Sequence, residues 1–159
     1  MLKGRMAESL VEELFKNSGN KIYRFGYEAI VQNLTQIERS FNRDGEVGKR
    51  ICAIPDFIVI DKQGNPTFVE VKFRGNGQLH TKDHERLMRI KEFWSANIII
   101  VNCNERPFFR ISKPPYFDKQ NKFIEAPLIE ESLWNMNLDA YQKAEVLVEK
   151  FLTNNLIKK

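Results

Sequence analysis

The sequence contains only two cysteines, Cys52 and Cys103, which lie far apart in the chain. Two cysteines do not make a disulfide framework, and their separation excludes a cysteine-based zinc site, so we expect two buried thiols. Long apolar runs are also missing. The longest are short pieces such as Asn97–Asn102, far below the roughly 20 residues that cross a bilayer. Since no secretory pattern opens the chain, we expect a cytoplasmic protein without a membrane partner.

The charge of the chain is modest but unevenly distributed. The formal net charge is +4, from 25 Lys and Arg against 21 Asp and Glu. Residues 72–91 carry six basic side chains and only two acidic ones, Asp83 and Glu85. Clustered basic residues favour a polyanionic partner, although a run of charge is more often a solvated helix face.

Apolar periodicity and turn residues predict an alternation of helices and strands within one domain, residues 1–159. The predicted elements are a helix over 4–18 that stops at Gly19, a strand over 21–28, a helix over 29–41, a loop over 42–50, a hairpin over 54–75, a helix over 81–94 with Thr81 as N-cap, a buried strand over 97–102, a short strand over 107–111, a loop over 113–122 and a helix over 138–152. This order predicts an α/β fold, in which helices pack against a mixed sheet.

The last predicted helix is amphipathic. Its apolar stripe consists of Leu138, Tyr141, Ala144, Leu147 and Phe151. Such a stripe covers the chain's own sheet or the equivalent helix of a second copy, and the sequence leaves both open.

The hairpin carries charged residues in an unusual pattern. Side chains alternate along a strand, so Glu70, Lys72 and Arg74 share one face, and we expect it to point away from the core. Asp56, on the neighbouring arm, is expected to lie near Glu70. Two carboxylates beside an ammonium suit a hard cation such as Mg²⁺, which takes oxygen ligands and retains several waters. The carbonyl of Val71 offers another oxygen.

The letters PD at residues 55–56, followed by EVK at residues 70–72, resemble the signature of the PD-(D/E)xK nuclease superfamily. Its members include restriction endonucleases, Holliday-junction resolvases and repair nucleases. The resemblance implies a restriction-endonuclease-like core, in which a helix is followed by three antiparallel strands, a helix and a fourth strand. It covers residues 4–102 and leaves 103–159 as a C-terminal extension.

The resemblance also implies a set of site residues. Asp56 and Glu70 are the implied metal ligands, Lys72 is the implied catalytic lysine, and Glu8 on the first helix is an auxiliary ligand. Glu12 shares that side of the helix, although an ion pair with a lysine four residues away is the commoner role at this spacing. Mg²⁺ is the implied cofactor, and we expect Mn²⁺ to substitute for it.

These residues predict a metal-dependent endodeoxyribonuclease that hydrolyses phosphodiester bonds of double-stranded or branched DNA. A resolvase-like enzyme or a phage or mobile-element nuclease is expected first, as a homodimer or within a recombination, transposition or defence complex. A restriction or defence nuclease, and a non-catalytic nucleic-acid-binding module on the same fold, are the alternatives. The residues expected to contact DNA are Arg74, Gln78, Lys82, Arg86 and Arg89.

Overall fold

The structure, a computed structural model, describes residues 2–26 and 41–153. Its helices are α1 (Leu2–Asn17), α2 (Glu46–Cys52), α3 (Thr81–Trp94) and α4 (Leu138–Phe151), with a 3₁₀ turn at Leu128–Glu130. Its strands are β1 (Lys21–Arg24), β2 (Phe57–Ile60), β3 (Pro66–Arg74), β4 (Asn97–Asn102), β5 (Phe109–Ser112) and β6 (Ala126–Pro127). Residues 27–40, which hold most of the predicted second helix, lie outside the described residues.

The described strands form one mixed sheet in chain order, β1 to β6. All neighbours pair antiparallel except β3 and β4, which are parallel. Parallel neighbours need a long crossover connection, and α3 lies within it. The order α1, β1, β2, β3, α3, β4 is the order that the resemblance implies, with α2 inserted before β2. The predicted α/β fold is therefore confirmed.

Both faces of the sheet are covered by apolar side chains. One face packs against α1 and α4 in a cluster that includes Phe15, Val69 and Trp134. The opposite face packs against α3 in a second cluster that includes Leu87 and Ile98. The expectation that the charged face of β3 points away from the core is therefore wrong. The continuous burial of β4, predicted from its apolar run, agrees with a sheet covered on both sides.

The segment predicted as a loop over residues 42–50 contains the start of α2. The apolar residue Val47 of this short helix is exposed, so the helix has no apolar period that follows its packing. It packs through Gly48, which lies against the backbone of Asn42 and Arg43. The prediction failed because the packing uses a glycine backbone and not an apolar stripe.

The N-cap of α3 is His80 and not Thr81, the predicted residue. The Asp83 carboxylate accepts a hydrogen bond from the His80 N–H at 3.1 Å. An acidic side chain in the first turn thus satisfies one of the amide groups that a helix start leaves unpaired.

The buried stripe of α4 differs in part from the predicted one. Tyr141 and Ala144 are buried as expected, but Val148 completes the buried face. Leu147 and Phe151 are 40% and 47% exposed. The helix has two overlapping apolar stripes, and packing onto α1 and the sheet selects one of them.

The remaining composition-based expectations concern membranes and thiols. None of the helices within residues 2–26 and 41–153 is long and apolar enough to cross a membrane. Cys103 is buried, whereas Cys52 is only partly buried, and neither forms a disulfide.

We predict that Gly48→Ala destabilises the fold, because a Cβ there would lie 1.9 Å from the Asn42 carbonyl oxygen. That atom belongs to the backbone, so relief requires a backbone shift that costs about 1–3 kcal/mol. Thermal unfolding measures the change. The control is Gly4→Ala in α1, where nothing lies within 4 Å and the melting temperature should not fall. A Gly48→Ala protein that melts at or above the wild-type temperature contradicts this packing.

Candidate active site

Asp56 lies at the point where the hairpin ladder ends. The last pair of β2 and β3 in this direction joins Phe57 and Val69. Asp56 immediately precedes Phe57, and here a side chain replaces the backbone as the acceptor. Its Oδ2 accepts the Val71 N–H at 2.8 Å. The Asp56 carbonyl accepts the N–H of Phe25 at 2.8 Å, which ties the residue to the end of β1. A backbone bond to β1 and a side-chain bond to β3 therefore hold this carboxylate beside Val71.

Glu70 is the most deeply buried charged residue of the candidate site, at 1% exposure. Its Oε1 accepts from Arg86 Nε at 3.2 Å and Nη2 at 3.0 Å, and it lies 3.2 Å from Lys72 Nζ. Its Oε2 is buried without a hydrogen-bond partner. Since a buried charge is costly unless it is paired, the two cations explain how Glu70 is tolerated inside the fold. Both cations thus contact Oε1, and Oε2 has no hydrogen-bond partner.

The pKa of Asp56 is raised to about 8, from an ordinary value of 3.8. Burial is the largest cause, and the negative charge of Glu70 adds to it. The Val71 N–H and Lys72 act in the opposite direction, and Glu8 raises the pKa further. Asp56 is therefore close enough to both other carboxylates to feel their charge, and its own negative charge is poorly balanced.

Glu8 faces the site from α1 and is only partly buried. Its Oε2 lies 3.6 Å from Arg24 Nη1. The neighbouring Glu12 pairs with Lys16 at 3.1 Å and with Arg24 at 2.8 Å, which includes the ordinary helical ion pair expected for it. Of the two, Glu8 is the one whose charge reaches Asp56.

Two carboxylates, those of Asp56 and Glu70, provide oxygen ligands suited to a hard divalent cation. Among the residues that the structure describes, no group of three His, Cys, Asp or Glu side chains is arranged to hold a metal ion. Mg²⁺ is often held by one or two carboxylates, with waters and substrate phosphate completing its shell. The unpaired Oε2 of Glu70 and the unbalanced charge on Asp56 match that requirement. Glu8 and the Val71 carbonyl stay predicted ligands.

Three of the residues expected to contact DNA are exposed, namely Gln78, Lys82 and Arg89. Lys82 and Arg89 are seven residues apart on α3, so they lie on the same side of the helix. This side of α3 therefore presents two cations to solvent, and the exposed Glu85 lies between them.

Arg74 is buried, at 8% exposure, and so does not lie on a surface open to DNA. Its guanidinium stacks on Phe123 at 4.7 Å and pairs with Glu125 Oε2 at 3.4 Å. Both partners come from the segment between β5 and β6, to which no role was assigned from the sequence. This segment thus covers the end of β3 that was expected to be accessible to DNA.

Arg86 was expected to contact DNA, but its guanidinium is bound to Glu70. The number of basic residues along the sequence could not identify Glu70 as the partner of Arg86, because sixteen residues separate them. One signal was present: Arg86 precedes the buried Ile90 by four residues and so lies at the edge of the buried stripe of α3.

Comparison with known proteins gives one similarity of fold. No protein-family model matches the chain, and no curated protein matches its sequence. Among solved structures, the chain is similar to Hjc of Archaeoglobus fulgidus, a Holliday junction resolvase from an archaeal hyperthermophile. The identity is 16% and the TM-score 0.39, over 88% of this chain and 98% of that one. A similarity at this level does not decide what the chain does.

We predict that Asp56→Asn becomes more stable relative to wild type as the pH rises from 5 to 8. The folded pKa, about 8, lies above the ordinary value of 3.8, so the folded protein holds a proton that the unfolded chain releases. This contribution to stability is lost as the pH rises towards 8. Asparagine never ionises and retains an oxygen for the Val71 N–H. Urea unfolding in EDTA should show a relative gain of at least about 2 kcal/mol.

The control for this experiment is Asp61→Asn. Hydrogen bonds, the largest from the Asn65 backbone, lower the pKa of Asp61, so its effect on stability is complete above its ordinary pKa and stays level over this range. A difference between Asp56→Asn and wild type that does not change with pH contradicts the raised pKa.

Proposed function

We propose that the protein is a divalent-metal-dependent endodeoxyribonuclease, with Asp56, Glu70 and Lys72 as its catalytic residues. One observation carries the proposal: the partly buried Asp56 and the buried Glu70 are close enough for their charges to interact, and Lys72 lies 3.2 Å from Glu70. The PD and EVK letters at residues 55–56 and 70–72 support the same assignment.

Asp56 and Glu70 would hold the cation, Glu70 through its unpaired Oε2. When bound, Mg²⁺ or Mn²⁺ lowers the pKa of a coordinated water and neutralises charge on phosphoryl oxygens. Lys72 Nζ lies at the same carboxylate, and its side chain is 19% exposed. A phosphate at the edge of the site can therefore receive a hydrogen bond from Lys72 where negative charge grows in the transition state.

The side of α3 that carries Lys82 and Arg89 supplies the DNA surface in this proposal. The helix packs over β3 and is linked to Glu70 by Arg86, so a DNA backbone that follows Lys82 and Arg89 passes close to the carboxylates. Double-stranded or branched DNA is the proposed substrate. The exposed Leu147 and Phe151 of α4 favour a homodimer, as part of the same proposal.

The proposal predicts cutting of supercoiled, linear or four-way-junction DNA in Mg²⁺ or Mn²⁺, and none in EDTA. Asp56→Ala and Lys72→Ala should each lower the rate at least about 100-fold, since each removes a group that acts on the reacting phosphate. Lys143→Ala is the matched control, because Lys143 is exposed on α4 and pairs only with Asp139 among the contacts described.

Two results contradict different parts of the proposal. DNA binding without metal-dependent cutting of any substrate favours the non-catalytic nucleic-acid-binding module. Cutting that survives both substitutions places the catalytic residues elsewhere.

The role of Lys82 and Arg89 on α3 is tested by the salt dependence of DNA binding. Lys82→Gln and Arg89→Gln should each reduce the slope of log affinity against log salt by about 1, because each removes one phosphate contact. Fluorescence anisotropy with labelled duplex in EDTA measures the slope without cutting. Lys143→Gln should leave it unchanged. Equal slopes for wild type and both α3 variants contradict the proposed surface.

A further inference from the structure

We propose that Arg86 is a positioning residue, which orients the Glu70 carboxylate so that Oε2 is the oxygen available to the metal. The inference rests on the proposed function. It gives Arg86 a role different from the DNA contact expected from the sequence, and the two roles predict different measurements.

The geometry at Glu70 assigns this role. Arg86 Nε and Nη2 both donate to the same oxygen, Oε1, at 3.2 and 3.0 Å. The third nitrogen, Nη1, donates to the carbonyl of Cys52 at 3.4 Å. The guanidinium is therefore anchored to the end of α2 while it holds the carboxylate. A planar guanidinium fixed at both ends restricts rotation of the carboxylate more than a single hydrogen bond does.

The orientation leaves one oxygen in a defined place. Lys72 also contacts Oε1, at 3.2 Å, so both cations act on the same oxygen. Oε2 is buried and without a partner. A carboxylate oxygen that carries charge in a buried site is costly without a counter-charge, and a divalent cation supplies one.

The same contacts make Glu70 the main partner of Arg86. Each of its side-chain nitrogens donates one N–H to a protein oxygen, which leaves two of the five N–H groups of the guanidinium for any other acceptor. Of the two cations that contact Glu70, only Lys72 would remain after Arg86 is removed. The loss should therefore appear first in metal binding and only secondarily in DNA binding.

The test compares Mn²⁺ binding by DNA-free protein, measured by calorimetry, in wild type, Arg86→Gln and Arg86→Lys. We expect Arg86→Gln to weaken Mn²⁺ binding about 10- to 100-fold, the usual effect of losing a residue that orients a ligand. Arg86→Lys should restore part of the affinity, because an ammonium can donate to Oε1 but cannot reproduce the fork. If Arg86→Gln does not fold, Arg86→Lys carries the test, and its wild-type Mn²⁺ affinity would overturn the inference.

The matched control is Arg106→Gln. Arg106 is also an ion-paired arginine, bound to Glu145 at 2.8 Å and Glu149 at 2.6 Å, on the α4 side of the molecule. This control should retain wild-type Mn²⁺ affinity. Arg86→Gln should lose no more DNA affinity in EDTA than Arg106→Gln does, since both remove one positive charge.

Two results overturn the inference, and they differ in what else they contradict. If Glu70→Gln abolishes Mn²⁺ binding and Arg86→Gln leaves it intact, Arg86 does not position Glu70, and the proposed nuclease stands. If wild type binds no Mn²⁺ and cuts no DNA, the proposed function fails and the inference fails with it.

Discussion

The pairing of the buried Glu70 carboxylate with Lys72 and Arg86 is the interaction on which the site depends. Removing an ion from water costs several kcal/mol, so Glu70 is tolerated at 1% exposure only with its counter-charges in place. Lys72 comes from the same face of β3. Arg86 comes from α3, the crossover between the two parallel strands. The connection that builds the sheet is therefore also the element that neutralises its buried acid.

Asp56 is the carboxylate that this pairing leaves without a direct cationic partner. Both cations act on Glu70, Glu8 is close to Arg24, and the main direct partner of the Asp56 carboxylate is an amide, the Val71 N–H. Its pKa of about 8 means that a proton occupies the site near neutral pH when no other cation does. A divalent cation and that proton would compete for the same carboxylates, so metal binding should strengthen as the pH rises.

The parts of the site that follow from local rules were predictable from the sequence. Strand alternation places Glu70 and Lys72 on one face, and the hairpin brings Asp56 to Glu70. The parts that depend on distant segments were not predictable. The apolar cluster of α3 covers the charged face of β3. Arg86 pairs with Glu70, and Glu125 pairs with the buried Arg74. The helix α2 escaped prediction because its packing uses the backbone of Gly48, which leaves no apolar period.

In the proposed site, Asp56 and Glu70 together hold a divalent cation. Crystals of the wild-type protein grown with Mn²⁺, measured near the manganese absorption edge, test it most directly. We expect an anomalous peak about 2–2.2 Å from a carboxylate oxygen of both Asp56 and Glu70, with Arg86 still bound to Glu70 Oε1. Crystals that show no peak at this pair, or show manganese bound elsewhere, would contradict it.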